Sequence, residues 1–125
     1  MTDRELLEAA ARAAGMVVVS DYDGATWAHL ADEHPEQAAR WNPLDDDGDA
    51  LRLAVKFGLN IDVHRGSSVD GWPCVEVRGY VHRRLLTVEH AQDNDASLAD
   101  ATRRAIVRAA VEIGKKVDAP QERAD

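Results

Sequence analysis

Four aspartates surround one glycine in Trp-Asn-Pro-Leu-Asp-Asp-Asp-Gly-Asp, residues 41–49, and five histidines (His29, His34, His64, His82 and His90) are spread through the rest of the chain. An aspartate cluster of this kind invites comparison with a calcium loop, where a glycine makes the turn at the sixth position and a glutamate closes the loop at the twelfth. Counting from Asp45, Asp47 and Asp49 fit, but the glycine position holds Ala50 and the closing position holds Lys56. A cation stands where the strongest ligand belongs, so the calcium reading fails. The cluster fits a helix start better, because a carboxylate there accepts orphan backbone N–H groups and favours the positive end of the helix dipole. One cap needs one aspartate, and the remaining charge is the reason to expect a partner.

The histidines do not follow a metal-ligand pattern. There is no His-Glu-x-x-His, no paired cysteine, and His29 and His34 stand five apart. His64 and His82 fall on polar faces of expected strands, and would approach each other if those strands paired. Cys74 is the single cysteine, which leaves no internal disulfide and fits a reducing compartment. Cys74 or Ser67/Ser68 with a histidine are the available nucleophile pairs, and none sits in a nucleophile elbow or oxyanion context. No glycine-rich phosphate loop is present. The sequence therefore predicts no catalytic residue, no metal ligand and no cofactor.

Charge location is more informative. The net charge is -8, and the segment from Asp21 to Asp49, with nine carboxylates and Arg40 as its single base, carries an excess of that same size. By contrast, residues 98–117 hold Arg103, Arg104, Arg108, Lys115 and Lys116 against Asp100 and Glu112. Such polarity bears on partners rather than on fold. The expected partner-binding residues are Trp41, Asn42, Asp45, Asp46 and Asp47, facing a protein with a basic surface. Two alternatives stand beside this: a nucleic-acid accessory protein using Arg104, Arg108 and Lys115 of the last helix, which the overall negative charge opposes, and a small histidine-based enzyme or metal protein. Trp41, Trp72 and Trp27 can each be a core anchor or a contact.

The elements that must position these residues follow from caps and periodicity. Thr2 and Glu5 have capping-box spacing and Gly15 suits a left-handed stop, predicting a helix over 3–14. Met16–Ser20 is a β-branched run, and Asp-Tyr-Asp-Gly can return the chain through Ala25–Leu30 as a hairpin. Residues 35–40 make either one helical turn or a loop. Pro43 and Gly58 bracket a second helix, whose Leu51, Ala54 and Val55 face and Leu53 and Phe57 face predict burial on more than one side. Residues 59–64 alternate as a half-buried strand, and residues 72–79 and 80–88 read as two more strands with Gly79 as a bend between them. Ser97 with Asp100 resembles a capping box, opening a core-packed helix of about five turns through Val117.

At 125 residues with 45% hydrophobic and 30% charged residues, the expectation is one soluble domain over 1–117 and a mobile tail over 118–125. No apolar run reaches the roughly 18 residues of a membrane span, and the N-terminus lacks a secretory pattern. The element order predicts an α+β domain with a mainly antiparallel sheet of four or five strands and three helices.

Two segments, Trp41–Ile61 (WNPLDDDGDALRLAVKFGLNI) and Ala101–Lys115 (ATRRAIVRAAVEIGK), resemble small bacteriophage and prophage proteins of the phage ABA-sandwich family. Together they cover roughly a third of the chain, and neither is a catalytic motif. The resemblance implies a three-layer α-β-α sandwich, a phage or prophage origin and a location in the host cytoplasm. It carries over no activity and no site residue.

Overall fold

The computed structural model describes residues 1–20, 24–66, 73–91 and 95–118. Asp21, Asp23, Ser67, Ser68, Trp72 and the tail from residue 119 onward lie outside them, as does the side chain of Ser97. The fold is α+β, with three helices and two three-stranded antiparallel sheets. Six strands divided between two sheets replace the four or five expected of one.

Helix α1 (Asp3–Ala13) starts as its capping box requires. The Glu5 N–H donates to the Thr2 hydroxyl at 3.1 Å while the Glu5 carboxylate accepts the Thr2 N–H at 2.9 Å. The chain leaves the helix through Gly15 at φ +77°. Strands β1 (Met16–Ser20) and β2 (Thr26–Leu30) form the expected hairpin, Met16 opposite Leu30 and Ser20 opposite Thr26. A short 3-10 turn over Pro35–Gln37 then leads into β3 (Ala39–Arg40), two residues added to the far edge of β2. Residues 35–40 thus give both a turn and a strand.

Helix α2 (Asp47–Phe57) ends at Gly58, whose left-handed φ of +62° and N–H bond to the Val55 carbonyl close it. Ala50, Leu53 and Ala54 are buried, whereas Leu51 and Val55 are exposed. The helix is buried on one side, not two, and an apolar pair expected inside faces outward.

The second sheet has the order β4 (Asn60–His64), β5 (Cys74–Arg78), β6 (Leu85–His90). The last of these begins at Leu85, not at Tyr80. Residues 79–84 turn instead, with the Gly79 N–H donating to the Arg84 carbonyl at 2.8 Å and with His82 and Arg83 at φ +59° and +50°. Left-handed conformation at two successive non-glycine residues cannot be read from their types. Helix α3 (Asp95–Asp118) is 24 residues long, beginning before the expected Ser97 cap and including Asp118 in place of the expected start of a tail.

Helix α3 organises both cores. Its Ile106, Val107, Ala110 and Val111 pack with Leu6, Leu7, Ala10 and Ala11 of α1, Leu53 and Ala54 of α2, and Trp41. Its Leu98, Ala101, Ala105 and Ala109 pack with Val75 and Val77 of β5. The small residues on this second face allow the helix to lie close against the sheet.

The three helices run in the same direction. Asp3 bonds to Arg104, and ten residues further along each helix a Cβ on Gly114 would lie 2.7 Å from that of Ala13. Asp47 bonds to Arg103, and ten residues further along each helix Phe57 and Ile113 line one groove. Parallel helices place the positive dipole ends of α1 and α2 level with each other, α3 begins about 12–14 Å further out on the same side, and all three helices end toward the opposite pole. The first-turn acids Asp3, Glu5, Asp47 and Asp49 and the last-turn bases Arg12, Lys56, Lys115 and Lys116 complement those ends.

Candidate functional site

The acidic pole is built by the turn that precedes α2. Trp41 extends the edge of the first sheet, donating its N–H to the Thr26 carbonyl at 3.0 Å and accepting the Thr26 hydroxyl at 2.6 Å. Its side chain is buried in the core. Asn42 shapes the turn: its Oδ1 accepts the Leu44 N–H at 3.1 Å, and its carbonyl accepts the N–H groups of Asp45 and Asp46 at 3.0 and 2.8 Å. Pro43 between them is fully buried. The buried Trp41 side chain thus supports the surface from below, while Asn42 shapes the turn and, half-buried, also lines the hollows beside it.

The aspartates divide by role. Asp46 is the cap, its Oδ2 accepting the Asp49 N–H at 2.8 Å. Asp49 is buried and doubly engaged, accepting the Asn42 N–H at 2.9 Å and an Arg52 Nη2 proton at 2.7 Å. Asp47 bonds to Arg103 at 2.6 Å. Asp45 is exposed and stands between two shallow hollows of about 380 and 520 Å³, lining both. Around it are Asp3 of α1 and Asp100 of α3, their side chains 65% and 72% exposed. One patch thus receives carboxylates from α1, α3 and the turn before α2, with Arg104 lining one hollow and Arg40 and Arg52 the other.

Arg103 ties this pole together. Its Nε donates to the Leu44 carbonyl at 3.0 Å, and its two terminal nitrogens reach Asp47 and Asp100. The hydrogen bond that Arg103 donates to Asp47, with the charge of Asp100 beside it, pushes the guanidinium pKa above its ordinary value, so Arg103 stays protonated. No sequence pattern marks this role, because Leu44 and Asp47 lie more than fifty residues away in the chain.

The basic helix does not present a free row of cations for phosphate. Arg104 pairs with Asp3 at 3.0 Å, Arg108 with Glu89 at 3.1 Å, and Lys115 with Glu112 at 3.5 Å. Each charge needed for the nucleic-acid reading has a carboxylate partner already.

The histidines occupy separate places. His29 is buried with Nδ1 donating to the Leu30 carbonyl at 2.6 Å, His34 caps the 3-10 turn by accepting the Glu36 N–H at 3.2 Å, and His64 meets Glu76 at 3.1 Å across β4 and β5. His64 lies opposite Cys74 whereas His82 follows the other end of β5, so the two are held about 13 Å or more apart. Among the described residues, no group of three His, Cys, Asp or Glu side chains is placed to hold a metal ion. Among them, too, no helix is long and apolar enough to cross a membrane.

Compared with protein-family models, curated proteins and solved structures, the chain matches none. The site must be argued from its own geometry.

Proposed function

We propose that this chain is a non-enzymatic protein-binding module that engages a partner with a basic surface through its acidic pole. The observation that carries the reading is the exposed Asp45 in the turn before α2, which borders both hollows and has beside it Asp3 of α1 and Asp100 of α3, largely in solvent though paired to Arg104 and Arg103. Exposed carboxylates on a rigid support give electrostatic steering and orientation at little cost in ordering. The resemblance of residues 41–61 and 101–115 to phage ABA-sandwich proteins supports a phage or prophage origin, and with it action in the cytoplasm of a bacterial host.

The test is affinity capture from bacterial lysate by the tagged chain and by its Asp45→Lys variant, followed by titration of the captured protein. Asp45 makes no helix cap, so this change alters the surface and spares the fold. Loss of the partner by the variant, with an unchanged unfolding midpoint, supports the reading. Equal binding by both chains sinks it.

A further inference from the structure

The opposite pole carries a second surface of different chemistry. Phe57, Tyr80, Val81, Leu86 and Ile113 line a groove of about 440 Å³ beside the C-terminal ends of α2 and α3. Tyr80 is 79% exposed and Val81 66%. Tyr80 also covers Gly58, where an added Cβ would lie 3.5 Å from its ring. From Gly58 the apolar surface continues along α2 through Val55 and Leu51, 71% and 62% exposed, since positions 51, 55 and 58 fall on one helical face. An apolar stripe joined to a groove exceeds the scattered surface hydrophobics that need no explanation.

The turn that presents Tyr80 and Val81 has an energetic cost. His82 and Arg83 both adopt left-handed backbone, which costs an L-residue roughly 1–2 kcal/mol. The exposed pair Tyr80 and Val81 returns no core burial for it. Two successive left-handed residues also suit the tight turn that returns β5 into β6, so the pairing of those strands offsets the cost, and the turn fixes Tyr80 and Val81 in their exposed positions.

Charge decides what the groove accepts. Among the described residues no carboxylate lines it, and Arg84 and Lys116, both exposed, do. Neither has an acidic partner among the described residues, whereas Arg103, Arg104, Arg108 and Lys115 all do. In a chain of net charge -8, two cations with no acidic partner among the described residues flank the exposed apolar groove. The negative C-terminal ends of α2 and α3 account for part of this placement. They do not account for the apolar groove between the cations.

We infer that this groove docks an acidic segment of a partner protein, one that inserts apolar anchors between Arg84 and Lys116 while its carboxylates meet those two cations. A second copy of this chain fits less well. A twofold contact through this face would set Arg84 and Lys116 against their own copies. A head-to-tail contact would offer the groove the polar surface around Asp45, where Met1 is the one exposed large apolar side chain among the described residues, short of the two or more anchors that the groove takes. The inference concerns a surface separate from the acidic pole and does not depend on it.

The experiment is selection of a displayed library of random twelve-residue peptides on the full chain, followed by titration of the enriched peptides against the intact chain, Arg84→Glu/Lys116→Glu and Tyr80→Ser. All three substituted side chains are exposed, and the unfolding midpoint checks the fold. The expected peptides carry several Asp or Glu residues with two or more apolar anchors, perturb the amide resonances of Val81 and Ile113, and weaken at least about tenfold in either variant. Enriched peptides that are basic or uncharged, binding insensitive to both variants, or no enriched peptide at all would overturn the inference. So would a concentration-dependent dimer that Tyr80→Ser abolishes, since the occupant would then be a second copy.

Discussion

Arg103 of α3 lies 2.6 Å from Asp47 of α2 and joins the acidic segment of the chain to its basic last helix. Its Nε also holds the Leu44 carbonyl at 3.0 Å, so one guanidinium fixes the turn and the helix start together. Arg103 is only 14% exposed while its carboxylate partners are largely in solvent. The ion pairs themselves therefore add little, and the bond to the Leu44 carbonyl accounts for most of the effect.

Arg103→Met should destabilise the fold by about 1–2 kcal/mol in urea denaturation, chiefly through the orphaned Leu44 carbonyl. Arg103→Lys should recover little of it, because the three donors of an ammonium radiate from one nitrogen and cannot span the positions that Nε and the two terminal nitrogens of the planar fork reach. Full recovery by lysine would show that charge alone matters here.

The α1–α3 contact makes an opposite prediction to helix propensity. Gly114→Ala in an isolated helix would stabilise by up to about 1 kcal/mol. Here the new methyl would sit 2.7 Å from the Ala13 Cβ, and overpacking should cost about 1–3 kcal/mol instead. Adding Ala13→Gly should restore much of the loss, a coupling that a double-mutant cycle measures directly.

The aspartates should separate by role in the same assay. Asp46→Ala removes the cap and should cost about 1 kcal/mol, while Asp46→Asn keeps an acceptor and should cost less. Asp49→Ala leaves the Asn42 N–H unpaired and should cost about 1–3 kcal/mol. Asp45→Asn should fall within about 0.5 kcal/mol of the parent. Combined neutralisation of Asp45, Asp46 and Asp47 would thus confound binding with folding.

Glu5 supplies a pH dependence. Its carboxylate accepts the Thr2 N–H and hydrogen-bonds with the Thr2 side chain, which holds its pKa below the ordinary carboxylate value. A depressed folded-state pKa means a contribution that is present above the unfolded pKa of about 4.3 and is lost as pH falls through the lower folded value. Amide exchange in the first turn of α1 should therefore quicken on acidification through that window. Glu5→Gln, which keeps the acceptor and removes the titration, should flatten the response.

Local chemistry made much of the fold legible. Thr2 and Glu5 mark the start of α1, and Gly58 marks the end of α2, because each satisfies backbone groups within a few residues. Helix α3 shows in its alanines and isoleucines at helical spacing. The misreadings arose where neighbours far along the chain decide. Leu51 and Val55 are apolar at helical spacing, yet no element covers them. Residues 80–84 look like strand, but His82 and Arg83 turn back in a conformation their types do not announce. The two residues of β3 are too few to carry a period. At the site, the cap role of the aspartate cluster was readable from spacing. The reach of Arg103 across 56 residues to Asp47 was not, nor was the parallel order of the helices that gathers Asp3, Asp45 and Asp100.

The most direct test of the binding account is a titration of the captured partner against the parent chain and Asp45→Lys at low and at raised salt. The account predicts at least about tenfold weaker binding by the variant at low salt, a gap that narrows as salt screens the exposed carboxylate, and matching unfolding midpoints for the two chains. Equal affinity of both chains at low salt would contradict an acidic pole that binds.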